Sequence, residues 1–267
     1  MKKIGITGQN GFVGYHLYQT INLFKEEFEL INFDRSFFDN ESQLDEFVKS
    51  CDVIVHLAAL NRHNDAETIY NTNTELVNKL INSFQRTNSK PHIIISSSTQ
   101  EERDNLYGKS KKEGRVAFSN WANSNNAIFT GLIIPNVYGP FGHPFYNSVI
   151  ATFCHQVSRN ESPKIDIDGQ LKLIYVGELV NEIINSIRNS DNNHEKLLNH
   201  SAEAKVSEIL EKLLFFKSSY QEKGEFPKIN NDFEHKLFNT YRCYMDIANY
   251  FPKKFIQHTD NRGAFVE

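Results

Sequence analysis

Residues 2–14 read KKIGITGQNGFVG, an apolar run that breaks into glycines at Gly8, Gly11 and Gly14 around the apolar pair Phe12 and Val13. The run has the length of a buried strand, and the glycines mark a turn at its end. From Phe12 to Phe28, the residues Val13, Leu17, Ile21 and Phe24 fall on one helical stripe, and ELINF (29–33) returns to a strand pattern. The order strand, glycine turn, helix, strand is a βαβ unit. Glycines at that turn let the backbone approach a pyrophosphate, which the free N–H groups and dipole of the helix N-terminus attract. Asp34 closes the second strand, twenty residues after Gly14, where a carboxylate can bind the ribose hydroxyls of an adenosine. Arg35 beside it can hold a 2′-phosphate, so the cofactor reading is NADP (NADPH), with NAD left open.

The alternation continues through CDVIVHLAA (51–59), a helix with Leu76, Val77, Leu80, Ile81 and Phe84 on one face, HIIISSS (92–98), a helix around Lys111 to Trp121, and AIFTGLII (127–134). Continuous apolar strands separated by amphipathic helices predict an α/β protein with a doubly wound parallel sheet covered on both sides. Beyond Asn136 the pattern loosens. YNSVIATFCHQVSR (146–159), ELVNEIINSIRNS (178–190) and VSEILEKLLFF (206–216) read as helices, and PKIDIDG (163–169) and LKLIYV (171–176) as short strands. The expected organisation is a dinucleotide-binding domain over 1–245, with a smaller C-terminal α+β substrate-binding region over about 137–225. From about Phe226 the chain looks aromatic and irregular, and residues 246–267 read as a linker and the start of a strand.

Of the 267 residues 39% are hydrophobic, which is enough for a sizeable core. The net charge of −4 and the lack of a basic stripe argue against nucleic-acid binding and for a small ligand. No apolar stretch approaches the roughly 18 to 20 residues a bilayer needs, and the N-terminus lacks a signal-peptide pattern, so no membrane contact and a cytoplasmic location are expected. Cys51, Cys154 and Cys243 lie far apart without CxxC spacing, so neither a disulfide framework nor a metal site is expected.

The stretch SSSTQEERDNLYGKSKK (96–112) carries the candidate chemistry. Tyr107 and Lys111, four apart, share a helical face. A phenol with a pKa near 10 is a poor acid–base group at neutral pH, and a lysine ammonium on the same face is expected to lower it. The serines end a strand, where doubly wound sheets bind ligands. Strand alternation puts Ser96 and Ser98 on one side and Ser97 on the other, which favours Ser98 with Ser97 as the alternative. The remaining charges of the stretch read as solvated.

The glycine loop, HLAA at His56 to Ala59, the serine run, Tyr107-x-x-x-Lys111 and PNVYGP at Pro135 to Pro140 together resemble the extended short-chain dehydrogenase/reductase family over about residues 1–220. The resemblance implies a Rossmann-like sheet, a homodimer and a catalytic Ser98, Tyr107 and Lys111. It implies cofactor contacts from Gly8, Gly11, Phe12, Val13, Gly14, Asp34 and Arg35 on one side, and from Leu57, Ala58, Ala59, Asn73, Lys111 and Pro135 on the other. Substrate contacts would come from Ser97, Asn136, Asn147 and Ser148. HLAALNR, the short step from Ser98 to Tyr107, YNSVIATFC and the terminal DNRGAFVE are more narrowly similar to the CapF type of capsular polysaccharide enzyme. In that type a reductase domain precedes a cupin domain. It reduces, with NADPH, the C4 keto group of a UDP-2-acetamido-2,6-dideoxy-hexulose on the way to UDP-N-acetyl-L-fucosamine, and the final RGAFVE would open the cupin. This sequence departs in having Tyr175-Val176-Gly177-Glu178 where relatives read Tyr-Val-x-Asp, and Ile133 and Ile134 where an arginine is common. The competing readings are an NAD-dependent nucleotide-sugar 4-epimerase and a non-catalytic dinucleotide-binding module. A 4,6-dehydratase fits less well, because Thr99-Gln100 stand where that chemistry wants Asp-Glu.

Overall fold

The computed structural model describes residues 1–250 and 255–266. In chain order its strands are β1 (Lys2–Thr7), β2 (Phe28–Ile31), β3 (Val53–His56), β4 (His92–Ser98), β5 (Phe129–Ile134), β6 (Asn136–Tyr138), β7 (Gln170–Tyr175), β8 (Asn193–Leu197), β9 (Ala202–Lys205), β10 (Gln257–Asp260) and β11 (Gly263–Val266). The main helices are α1 (Phe12–Ile21), α2 (Glu41–Ser50), α3 (Ala66–Thr87), α4 (Leu106–Asn125), α5 (Val149–Ser158), α6 (Val176–Asn189), α7 (Val206–Phe216) and α8 (Asp232–Arg242).

Six strands in the order β2-β1-β3-β4-β5-β8 form a parallel sheet; the apolar runs predict the first five, and the polar β8 adds a sixth that they do not. Side-chain alternation divides its core in two. Val53 and Val55 join Ile4, Ile6 and the apolar stripes of α1 and α6 on one face. Ile54, Ile93 and Ile95 pack against α2, α3 and α4 on the other. The chain steps from β1 out to β2 and then back across β1 to β3, so the strand order reverses there. A crevice opens at such a point, outside the carboxyl ends of the two strands.

The second core joins β6, β7 and β9 to α5, α7 and α8, with Tyr138, Phe153, Leu173, Ile209, Leu213, Phe238 and Tyr241 buried together. Here the structure corrects the sequence reading in several places. PKIDIDG forms no strand, because Ile167 is exposed, Lys164 and Asp166 pair in solvent and Pro163 has no N–H for a ladder. The stretch after Phe226 is not irregular throughout: Asn231 caps α8 by accepting from the Glu234 N–H, and the helix buries Leu237, Phe238 and Tyr241. The first helix ends at Ile21, short of Phe28. The expected single terminal strand is an exposed antiparallel hairpin, β10 with β11.

Candidate active site

The crevice is a cavity of about 690 Å³ whose walls come from the β1–α1 turn, the ends of β3, β4 and β5, the start of α4, and the loop leading into α5. Its β1–α1 wall is backbone. Gly8 takes a φ of +80°, and a Cβ there would lie 2.7 Å from the Ala58 nitrogen. At Gly14 a Cβ would stand 2.1 Å from the Gly8 carbonyl oxygen, while the Gly11 N–H donates to that same oxygen at 2.9 Å. Gly11 is the N-cap of α1 and makes no side-chain cap bond, so the first N–H groups of the helix are left uncapped by a side chain at the cavity wall. A cradle without side chains, set at a helix N-terminus, fits the pyrophosphate of a dinucleotide.

The opposite wall is made of side chains. Ser98 ends β4, and its hydroxyl accepts from the Gln100 N–H at 3.1 Å, which leaves its own proton to donate. Tyr107 and Lys111 come from the first turns of α4, which Asn105 caps by accepting from the Gly108 N–H at 2.7 Å. Gly108 is required there, since a Cβ would fall 2.0 Å from the Gln100 carbonyl oxygen. Lys111 is buried, and its ammonium donates to the Ser96 hydroxyl at 3.4 Å. Burial pulls the lysine down to about 8, against the opposing charge of Glu101. The Tyr107 phenol moves opposite to the expectation: burial, with a smaller effect of Tyr146, pushes it up to about 12. The cost of removing a phenolate from water sets the direction here.

Residues 4–199 match the NAD dependent epimerase/dehydratase family. The chain belongs to that family. It is 28% identical over 267 residues to the UDP-2-acetamido-2,6-beta-L-arabino-hexul-4-ose reductase of Pseudomonas aeruginosa, covering 99% of this chain and 70% of that protein. Among solved structures, the capsular polysaccharide assembling protein CapF of Staphylococcus aureus superposes with a TM-score of 0.81 at 29% identity, over 99% of this chain and 70% of that one. RMD of Pseudomonas aeruginosa, complexed with NADPH, shares the fold at a TM-score of 0.76 and 16% identity, over 92% of this chain and 98% of its own.

Most of the residues singled out for an epimerase/dehydratase site line the one cavity. They include Gly8, Gly11, Phe12, Val13 and Gly14, then Leu57, Ala58 and Ala59, then Ser97, Ser98, Tyr107 and Lys111, and finally Pro135, Asn136, Asn147 and Ser148. Ser148 also caps α5 by accepting from the Ala151 N–H, and the Asn136 amide donates to the Lys172 carbonyl. Ser97 is committed elsewhere, donating its hydroxyl to the buried Glu101 carboxylate. Three residues do not line the cavity. Asp34 is exposed and caps the 3-10 turn Arg35–Asp39, accepting from the Ser36 N–H at 2.8 Å and hydroxyl at 2.7 Å, which holds its carboxyl below the usual range. Arg35, the first residue of that turn, is exposed as well. Asn73 is buried in α3 and works through the loop after β3. Its Oδ1 accepts from the Leu60 N–H at 2.7 Å, and its amide donates to the Leu60 carbonyl and the Ser110 hydroxyl, both at 3.1 Å.

Sequence reasoning missed Asn61 and Tyr146, which also line the cavity, and Arg62 behind them. The Arg62 guanidinium donates to the carbonyls of Phe145 and Tyr146 at 2.6 and 2.8 Å, and the Asn61 N–H to the Tyr146 hydroxyl at 3.4 Å. The arginine in HLAALNR was the available signal; its partners lie more than 80 residues away and were not.

Proposed function

We propose that this protein reduces the C4 keto group of a UDP-linked 2-acetamido-2,6-dideoxy-hexulose with NADPH, as a step toward UDP-N-acetyl-L-fucosamine for capsule or O-antigen. The observation that carries the reading is that the glycine cradle and the Ser98, Tyr107 and Lys111 side chains face one cavity, in a chain similar along 99% of its length to a reductase of such a sugar. Bound NADPH would supply a hydride to C4. Tyr107, its phenol raised to about 12, holds its proton throughout the neutral range and donates it to the ketone oxygen as C4 is reduced. The Ser98 hydroxyl, with a proton free to donate, orients that oxygen. Lys111, pulled down to about 8, is still mostly charged at pH 7 and offers an ammonium to the cofactor ribose and to the phenolate left after proton transfer. Asn136, Asn147 and Ser148, beside the second core, contact the nucleotide sugar.

Arg35 would favour NADPH over NADH, because a guanidinium at the end of β2 can pair with a 2′-phosphate. The working unit in this reading is residues 1–245, acting in the cytoplasm as a homodimer. Among the described residues, no helix is long and apolar enough to cross a membrane. The test is to mix purified protein with NADPH and the UDP-4-keto sugar and follow the absorbance of the reduced nicotinamide. Consumption that requires the sugar, and is slower with NADH, is expected. A correctly made substrate that leaves NADPH untouched would overturn the reading.

A further inference from the structure

The charges between Ser96 and Lys112 do not all face solvent. Glu101, in the 3-10 turn Thr99–Glu102, has a side chain 2% exposed and pairs with Arg115 of α4, whose side chain is 4% exposed. The pairing is a fork: Arg115 Nε donates to Glu101 Oε1 at 2.9 Å and the terminal nitrogen to Oε2 at 2.7 Å. The Ser97 hydroxyl donates to Oε1 as well. The other arm of Arg115 reaches β8, donating to the His194 carbonyl at 3.1 Å and the Glu195 carboxylate at 2.8 Å. One carboxylate and one guanidinium therefore tie together β4, the turn after it, α4 and β8.

Lys111 lies one helical turn before Arg115, so the two share a face of α4. Its hydrogen-bond partner, the Ser96 hydroxyl, is neutral. The titratable groups around it are few. His56 on β3 is held neutral by burial, and burial keeps the Tyr107 phenol on its own helix protonated at neutral pH. Arg115 repeats its positive sign, while Glu101 supplies a negative one: the turn that carries it packs on Gly108, one helical turn before Lys111, where an added Cβ would lie 3.3 Å from the Glu101 nitrogen, and its charge opposes the effect of burial on the lysine.

We infer that Glu101, clamped by Arg115 and Ser97, is a positioning residue that keeps Lys111 protonated inside the cavity and fixes the turn joining Ser98 to Tyr107. The inference rests on the proposed role of Lys111, so its test reads that lysine with and without turnover. The first readout is carbon-13 lysine NMR of the full chain, with the Lys111 signal identified by its loss in Lys111→Arg. Glu101→Gln should lower the Lys111 titration midpoint by about one pH unit or more, since a buried ammonium loses its opposite charge. Because that variant leaves Arg115 with Glu195 as its remaining carboxylate partner, Glu101→Gln/Arg115→Met is measured beside it; it loses a like charge as well, so its midpoint should fall less than in Glu101→Gln. Glu101→Asp should restore part of the wild-type value. The second readout is the pH profile of ketosugar reduction, whose alkaline limb should move to lower pH in Glu101→Gln. An unchanged midpoint in both the single and the double variant overturns the inference. If the midpoint moves while wild-type protein leaves the ketosugar unreduced, the catalytic reading falls and the coupling of Glu101 to Lys111 stands.

Discussion

The cavity wall at β1–α1 presents backbone, with three glycines and the open N-terminus of a helix, whereas the wall at β4–α4 presents Ser98, Tyr107 and Lys111 with a buried ion pair behind them. The first wall is defined by what it lacks: any Cβ at Gly8 or Gly14 would collide with neighbouring backbone, and no group there titrates in the neutral range. The second is sensitive in charge, because burial shifts Tyr107 up and Lys111 down. In the proposed function binding and chemistry fall mainly on opposite sides, and each side should fail in its own way.

The largest effect belongs to the side-chain wall. Tyr107→Phe removes the proposed proton donor and little else, so kcat should fall by about 10³ while the Kd for NADPH, from fluorescence titration, stays within about twofold. Retained turnover would break the division between the walls. Gly14→Ala should do the reverse. Its methyl would meet the Gly8 oxygen and the Gln9 Cα, so the cradle must shift, and NADPH affinity should drop by about a hundredfold with the far-ultraviolet circular dichroism unchanged. Equal losses in both variants would mean that the walls act as one.

The smallest effect lies in the sheet itself. His56, bonded to the Thr7 hydroxyl at 2.7 Å, is held down to about 3 by burial, and His92, at 2.9 Å from the Thr130 hydroxyl, to about 4. Both fall below the unfolded value near 6.5, so between 6.5 and 4 the unfolded chain binds protons that the folded chain refuses. Stability present above pH 6.5 is therefore lost as the pH falls, approaching about 1.4 kcal/mol per pH unit for each histidine. Urea midpoints measured from pH 7 to pH 5 should decline with that slope, and His92→Gln should flatten it by about half.

How much of this was legible in the sequence follows the same division. The glycine wall is local: strand, turn and helix are contiguous, and the period of the apolar residues reveals each of them. Tyr107 and Lys111 are local too, since their spacing alone places them on one face. What escaped reading depends on contacts across the chain. NHEKL looks too polar for a strand, yet as β8 it closes the sheet at an edge where every second side chain is exposed. Glu101 and Arg115 look like surface charges because nothing in their neighbourhood announces that each buries the other. Asp34 was legible as an acid at the end of β2 but not as the cap of its own turn, since Ser36 reads equally well as an ordinary loop serine.

The contact of Gly8 with Ala58 has a mechanical consequence. Because no side chain cushions the two turns, a displacement of the glycine turn transfers directly to the segment after β3. That segment is bolted to α3 through Leu60 and Asn73, and Arg62, two residues further on, grips the carbonyls of Phe145 and Tyr146. Three loops far apart in the chain form one stiff linkage, so strain introduced at the glycine turn is felt at the loop leading into α5.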